Sequence, residues 1–195
     1  MSSITTARPT IVDSFISRTI YSDITLVAFG VALTALAAQI QIPVSPVPFT
    51  FQTLAVLLIG ASYGAARAGI TMATYALAGL VGIPVFAGYS SGPEVLVGAT
   101  GGFILGFIFA AMLTGYLAQK GWSTSPWKMF LNFSFGSILI YFVGIPVLAM
   151  VAFNADLQVA TKFMLPYLLW DALKAVIAGA YLPSAWAVVK KIKKS

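Results

Sequence analysis

The chain has 195 residues, of which 59% are hydrophobic and only 8% are charged, with a formal net charge of +6 at pH 7. A soluble domain carries about 25% charged residues, so most of this protein's outer surface must face lipid rather than water. The sequence has no Cys and no His, which excludes disulfides, His- or Cys-ligated metal sites and a Ser-His hydrolase, and we predict no cofactor.

The N-terminal segment is polar and carries Arg8, Asp13, Arg18 and Asp23. It lacks the apolar core and the small-residue cleavage site of a signal peptide. We therefore interpret residues 1–23 as a cytoplasmic segment that precedes a membrane domain.

Six apolar stretches follow, each about 16 to 24 residues long, and a helix needs about 20 residues to cross a bilayer. In chain order they are Ile24–Ile42, Phe49–Ala66, Ala68–Ile83, Thr100–Ala118, Met129–Val151 and Pro166–Val189. They predict an all-α, multi-pass protein of the cell membrane, with six transmembrane helices over residues 24–189 and the second and third helices short.

The basic residues predict the orientation of these helices. If the N-terminus is cytoplasmic, only Lys162 lies outside, and Lys174 lies within the membrane. The other nine then lie inside: Arg8, Arg18, Arg67, Lys120, Lys128, Lys190, Lys191, Lys193 and Lys194. Because inner connections of membrane proteins are enriched in Lys and Arg, we predict that both termini are cytoplasmic, including a basic tail over 190–195. The same distribution argues against a nucleic-acid-binding surface.

Three connections then lie on the outer side: the proline-rich Pro43–Pro48, the glycine- and aromatic-bearing Pro84–Gly98, and Ala152–Leu165. Such loops suit a lid over an outward-facing pocket, and they suit ordinary linkers equally well. Both interpretations remain open at this point.

The sixth apolar stretch is the only one of the six that carries charged residues, Asp171 and Lys174. Each charge near the middle of a bilayer costs about 2.5–3.5 kcal/mol on insertion scales, and the i, i+3 spacing places both on one helical face. That face must point to the bundle interior or to a cavity. The pair is therefore a candidate ligand site, with a structural ion pair or snorkelling of Lys174 as the alternatives.

Further polar and small residues in the apolar stretches are weaker candidates. Gln52 and Tyr75 could hydrogen-bond a ligand or simply connect helices. Gly98-Ala-Thr-Gly-Gly102 opens a helix with small residues, where free N–H groups favour polar or anionic atoms. Ala28 and Ala32 place small residues on one face of the first helix, which permits close contact with another helix, within the chain or in another subunit.

Four motifs occur in order along the chain. They are Pro46-Val-Pro-Phe-Thr-Phe-Gln-Thr-Leu-Ala-Val-Leu-Leu58 followed by Gly64 and Arg67, then Gly82-Ile-Pro-Val-Phe-Ala-Gly88, Gly98-Ala-Thr-Gly-Gly-Phe-Ile-Leu-Gly106 and Asp171-Ala-Leu-Lys174. Each is weak alone, but the combination, from about Ala28 to Pro183, resembles the BioY family, the biotin-binding S components of energy-coupling factor (ECF) transporters.

The resemblance implies a six-helix membrane subunit that captures biotin from outside. Such a subunit delivers biotin inward together with a transmembrane T component and the two ATPase subunits of an ECF module. The small-residue face of the first helix resembles the docking surface for the T component, which implies this role for Ala28 and Ala32.

The resemblance also implies ligand contacts at Asp171 and Lys174. Gln52 and the helix start at Thr100, Gly101 and Gly102 are implied as further site residues. Where some members of the family have an Arg near the ligand carboxylate, this chain has Ile104.

The chemistry of biotin suits the side chains that this chain offers. Asp171 can accept hydrogen bonds from the ureido N–H groups, and Lys174 can meet the carboxylate or the carbonyl. The apolar body of biotin suits aromatic side chains, for which the candidates are Phe86, Tyr89, Tyr167 and Trp170.

Two other classes of function remain as alternatives. In a self-contained proton-coupled transporter, Asp171 would carry the proton, but no second intramembrane carboxylate is available for a relay. In an intramembrane enzyme, the absence of His and Cys would leave few catalytic groups. We therefore predict a binding subunit without enzymatic activity.

Overall fold

The structure is a computed structural model that describes the backbone of residues 9–192 and the side chains of residues 9–179, 183 and 184. Arg8, Lys193 and Lys194 lie outside the described residues, as do the side chains of Lys190 and Lys191. Its α-helices are α1 (Ile20–Gln39), α2 (Gln52–Tyr63), α3 (Ala65–Leu80), α4 (Pro93–Val97), α5 (Gly101–Gln119), α6 (Pro126–Ala152) and α7 (Leu157–Ile192). Two short strands, β1 (Gln41–Ile42) and β2 (Phe49–Thr50), and three single-turn 3-10 helices complete the described fold, at Val12–Ser14, Ala87–Tyr89 and Trp122–Thr124.

The predicted all-α class is confirmed, and the long helices α1, α2, α3, α5, α6 and α7 occupy the six predicted apolar stretches. Within the described residues, α1, α5 and α6 are long and apolar enough to cross a membrane by length and composition, and α2 is a shorter apolar helix.

Two helix starts differ from the prediction by four or more residues, and Phe49 and Thr50, predicted to begin the second helix, form the strand β2 instead. The helix α1 begins at Ile20 rather than Ile24, because Thr19 and Ser22 form a reciprocal capping box at its start. The helix α7 begins nine residues before Pro166 because Asp156 Oδ1 accepts hydrogen bonds from the backbone N–H groups of Gln158 and Val159, at 2.9 and 3.0 Å. The predicted length of the outer connection before α7, Ala152–Leu165, is therefore wrong. The connection comprises only residues 153–156.

The proline-rich connection between α1 and α2 forms a short antiparallel hairpin. Gln41 pairs with Thr50 and Ile42 pairs with Phe49. The chain between them, residues 43–48, includes a cis peptide bond before Pro46. The hairpin lies at the end of the bundle where α1 finishes and where α2, α5 and α7 begin.

Glycines on α5 allow the helices to pack closely. The helix α5 contacts α2, α3 and α6. A Cβ at Gly106 would lie 3.1 Å from the Cα and carbonyl oxygen of Ile140 on α6, and a Cβ at Gly115 would lie 2.5 Å from the backbone nitrogen of Ala65. Because a glycine has no Cβ, the backbones of neighbouring helices can approach more closely than a side chain would allow.

An ion-pair network lies at the opposite end of the bundle from the hairpin. Arg67, in the first turn of α3, contacts Asp23 of α1 at 2.6 Å and Asp13 at 3.3 Å, and Arg18 contacts Asp13 at 2.6 Å. Burial raises the pKa of the Asp13 carboxyl, but hydrogen bonds from Arg18 and Thr10 outweigh it and hold that pKa well below its ordinary value. The network fastens the segment before α1 to the base of the helices.

Candidate functional site

A cavity of about 140 Å³ lies under the hairpin. Its apolar wall consists mainly of Val47, Phe49, Phe86, Val95, Phe103, Ile104, Phe107, Ile140, Met164 and Trp170. Its polar groups come from Thr50, Gln52, Thr53, Ser90, Thr100, Tyr141, Tyr167, Asp171 and Lys174. An apolar cavity with a few convergent polar groups is typical of a small-molecule site.

Asp171 and Lys174 form an ion pair in the wall of this cavity. Nζ of Lys174 lies 2.8 Å from Oδ1 of Asp171, and each residue is only 5% exposed. Both side chains point inward, while Leu173 and Val176 on the same helix stay exposed. The prediction that the two charges share an inward-pointing face is therefore confirmed by the geometry of α7.

Lys174 is fully hydrogen-bonded to protein atoms. Besides Asp171, its ammonium group donates to the carbonyl oxygen of Thr50 at 2.8 Å and to Oγ1 of Thr53 at 2.7 Å. An ammonium group has three N–H donors, so all three have a partner. Snorkelling of Lys174 is excluded by these contacts, because a snorkelling side chain extends to the membrane surface.

Two residues that the sequence analysis did not single out complete the environment of Asp171. Thr53 Oγ1 donates to Asp171 Oδ1 at 2.8 Å, and the Tyr141 hydroxyl donates to Oδ2 at 2.7 Å. Thr53 could have been found from its place beside Gln52 in the motif at the start of α2. Tyr141 stands in an apolar stretch with no charged neighbour, and only the packing of α6 against α7 brings it to Asp171.

The hairpin is fastened to α7 by aromatic contacts. The rings of Phe49 and Tyr167 are stacked with centroids 3.6 Å apart, and the Tyr167 hydroxyl donates to the carbonyl oxygen of Val47. One turn further along α7, Trp170 meets the edge of Phe51 at 5.8 Å. The outer connections could be lids over a pocket or ordinary linkers. For the proline-rich connection, these contacts favour a cover over the pocket.

Gln52 and Tyr75 form a second polar chain beside the cavity. Gln52 Nε2 donates to the Tyr75 hydroxyl at 2.7 Å, which in turn donates to the carbonyl oxygen of Val85 at 3.0 Å. Gln52 lines the cavity, whereas Tyr75 is fully buried behind it. Phe86 also lines the cavity and lies edge-on to the Tyr75 ring. Tyr75 therefore does not line the cavity itself, but it contacts two residues that do, Gln52 and Phe86.

The predicted residues at the start of α5 separate into two groups. Thr100 lines the cavity, whereas Gly101 and Gly102 lie outside the lining. A Cβ at Gly101 would clash with the backbone of Leu96, and one at Gly102 would lie 2.7 Å from Cβ of Val147. The structure therefore gives both glycines a packing role against α4 and α6.

Three further predicted residues, Tyr89, Ala28 and Ala32, also lie outside the cavity lining. Tyr89 is 71% exposed and its backbone N–H donates to Gln39 Oε1. Ala28 and Ala32 are exposed on α1, while Gly30 and Thr34 of the same helix are buried. The small-residue face of α1 therefore does not pack inside the described part of the chain. Among the described residues, His, Cys, Asp and Glu form no group of three or more that could hold a metal ion.

The fold and cavity define a class, a helical membrane bundle of the S-component type. The fold matches the solved structure of the S-component for biotin from an ECF-type ABC transporter with a TM-score of 0.74 and 23% identity, covering 92% of this chain and 96% of that one. The chain belongs to the BioY family, whose model matches residues 8–191. The family resemblance inferred from the four motifs is thereby confirmed.

Curated relatives agree with this assignment. The chain is 37% identical over 148 residues to the biotin transporter BioY of Thermotoga maritima, covering 76% of this chain and 86% of the relative. It is 35% identical over 157 residues to the probable biotin transporter BioY of Pyrococcus horikoshii, covering 80% and 91%. These relatives are named as transporters, which supports a membrane transport protein rather than an enzyme.

Proposed function

We propose that this protein is the biotin-binding subunit of a vitamin importer. The observation that carries the proposal is the buried Asp171–Lys174 pair in the wall of an apolar, aromatic-lined cavity. Biotin combines an apolar bicyclic body with a ureido group and a carboxylate, so it needs this combination of surfaces. The names of the curated relatives support the same ligand.

The hydrogen bonds of the pair indicate how each charge serves the ligand. Asp171 accepts from Lys174, Thr53 and Tyr141, and an ionised carboxylate has about four acceptor positions, so one stays available for a ureido N–H group. Lys174 has no spare donor. It therefore acts on the ligand's carboxylate or carbonyl through its charge, or by exchanging one protein partner for the ligand.

The proposal includes six membrane-spanning helices with both termini cytoplasmic, in the cell membrane. Support for α7 as a membrane span comes from the face that it turns away from the bundle. The apolar side chains of Leu169, Leu173, Val176 and Ile177 are exposed there, while the charged side chains point into the bundle. The helix α2 has 12 residues, about 18 Å at 1.5 Å per residue, so the hairpin above it completes the crossing. The covered cavity then lies near the outer side, where a captured vitamin would arrive.

Delivery would require an ECF module with a T component and two ATPase subunits. The exposed Ala28 and Ala32 support a docking face on α1, because small residues let a partner helix approach closely. Asp171 accepts hydrogen bonds from Lys174, Thr53 and Tyr141 and keeps one acceptor position for a ligand, which is poor support for a proton carrier.

The function is tested by titrating the purified, monodisperse protein with biotin and identifying any co-purified molecule by mass. Saturable binding at a ratio of one to one supports the proposal. Absence of binding by well-folded protein would overturn it. Uptake that stops with a protonophore while ATP is held constant would instead favour the self-contained proton-coupled transporter.

A further inference from the structure

We propose that Tyr141 is a positioning residue that fixes the Asp171 carboxylate and limits it to a single ligand N–H group. This inference rests on the function proposed above. It concerns α6, a helix on which the sequence analysis placed no site residue.

The donors around Asp171 come from three different helices. Thr53 of α2 and Lys174 of α7 both donate to Oδ1, whereas among the described residues Tyr141 of α6 is the protein donor on Oδ2. With about two acceptor positions on each oxygen, Oδ1 is saturated and Oδ2 keeps one. Loss of the Tyr141 hydroxyl would remove this donor from Oδ2 and leave the carboxylate held through Oδ1 alone.

The Tyr141 ring is itself held in place by α5. Phe103 meets it edge-on, with ring centroids 6.1 Å apart, and both residues are buried. One turn along α6 from Tyr141, Gly144 leaves room for the Phe103 ring, since a Cβ there would lie 2.5 Å from Cε1 of Phe103. A preorganised binding group needs supporting residues whose side chains are already fixed by packing. If the Tyr141 side chain were mobile, its conformational entropy would be lost when the ligand binds, and affinity would fall.

The direct test is Tyr141→Phe, which removes the hydroxyl and keeps the ring. Hydrogen bonds to charged groups contribute enough that biotin affinity should fall roughly 10- to 150-fold. The matched control is Tyr63→Phe, because Tyr63 is equally buried on α2 but does not line the cavity. Its affinity should stay within about twofold of the unsubstituted protein, and equal losses in both variants would overturn the proposal.

A double-mutant cycle separates action through Asp171 from direct contact with the ligand. In an Asp171→Ala background, Tyr141→Phe should change affinity by less than about threefold, because the carboxylate that it positions is gone. The same 10- to 150-fold loss in both backgrounds would make Tyr141 a direct ligand contact and overturn the positioning role.

A ligand-side cycle covers the case in which the Ala background binds too weakly to titrate. Dethiobiotin keeps both ureido N–H groups, so Tyr141→Phe should penalise it as much as biotin. A biotin derivative methylated on the ureido nitrogen that meets Asp171 should be penalised far less, and an equal penalty contradicts the proposal. If the unsubstituted protein binds no biotin, the proposed function fails; if it binds biotin and Tyr141→Phe binds normally, only this inference fails.

Discussion

Nζ of Lys174 lies 2.8 Å from the carbonyl oxygen of Thr50, so the charged face of α7 holds the backbone of the hairpin that covers the cavity. The same ammonium group is paired with Asp171. One side chain therefore connects the intramembrane charge pair to the cover over the site.

Single changes in the pair should weaken biotin binding strongly. Asp171→Asn and Lys174→Met each remove one partner of a buried charged contact, which costs about 2–5 kcal/mol. That loss is about 30- to several-thousand-fold in affinity and is measured by ligand titration. If Lys174 acts on the carboxylate, Lys174→Met should penalise biotin much more than biotin amide.

The double replacement of Asp171 and Lys174 by apolar residues distinguishes binding from structure. Replacing a buried ion pair by apolar residues is often neutral for stability, so this variant should fold yet lose biotin binding. Size-exclusion chromatography establishes folding before titration. Near-normal biotin affinity in a monodisperse double variant would contradict the ligand-binding role and indicate that the pair is structural.

Bulky residues on the small face of α1 should uncouple binding from transport. Ala28→Trp and Ala32→Trp block close approach of a partner helix, so biotin uptake by the complete transporter should fall while binding by the isolated subunit survives. Ala152→Trp, at an exposed alanine that ends α6, is the matched control. Loss of binding in the α1 variants would show that this face serves the fold instead.

Cysteine labelling tests the predicted topology, and the absence of native Cys gives a clean background. Glu94→Cys and Gln158→Cys should react with an impermeant thiol reagent from outside, and Lys120→Cys should not. All three positions are exposed, and Gln158 is preferable to Asp156 because Asp156 caps α7. Reaction at position 120 but not at 94 would reverse the orientation.

The helix α5 approaches the junction of α2 and α3 closely at Gly115. Gly115→Ala should therefore destabilise the protein by about 1–3 kcal/mol, because the new Cβ meets backbone atoms, which cannot rotate away as a side chain can. Gly69→Ala is the matched comparison, since the three heavy atoms nearest to its Cβ all belong to the side chain of Met112. There a gain in helix propensity of about 0.5–1 kcal/mol offsets the strain. Thermal unfolding in detergent should rank the first variant clearly below the second.

The Asp13 network should stabilise the protein in a pH-dependent way. Because the folded pKa of Asp13 lies below its ordinary value of 3.8, its contribution is present at neutral pH and fades as the pH falls below that value. The melting temperature of Asp13→Asn should therefore lie below that of the unsubstituted protein at pH 7, and the difference should shrink toward pH 3. A difference that grows on acidification would contradict this assignment.

The sequence by itself determined the membrane class, the positions of the long helices and the Asp171–Lys174 pair, because these follow from composition and from local periodicity. The i, i+3 spacing is enough to place two charges on one face whatever the helix packs against. The ordered motifs further identified the family, which the family model confirms.

Only the tertiary structure decided what surrounds the pair. Thr53 and Tyr141 lie 118 and 30 residues from Asp171 in the chain, and no local pattern records such a distant contact. The packing roles of Gly101 and Gly102 likewise depend on Leu96 and Val147. A hydrogen bond to a buried charge is set by which helices meet and at what height, and that is a property of the assembled bundle.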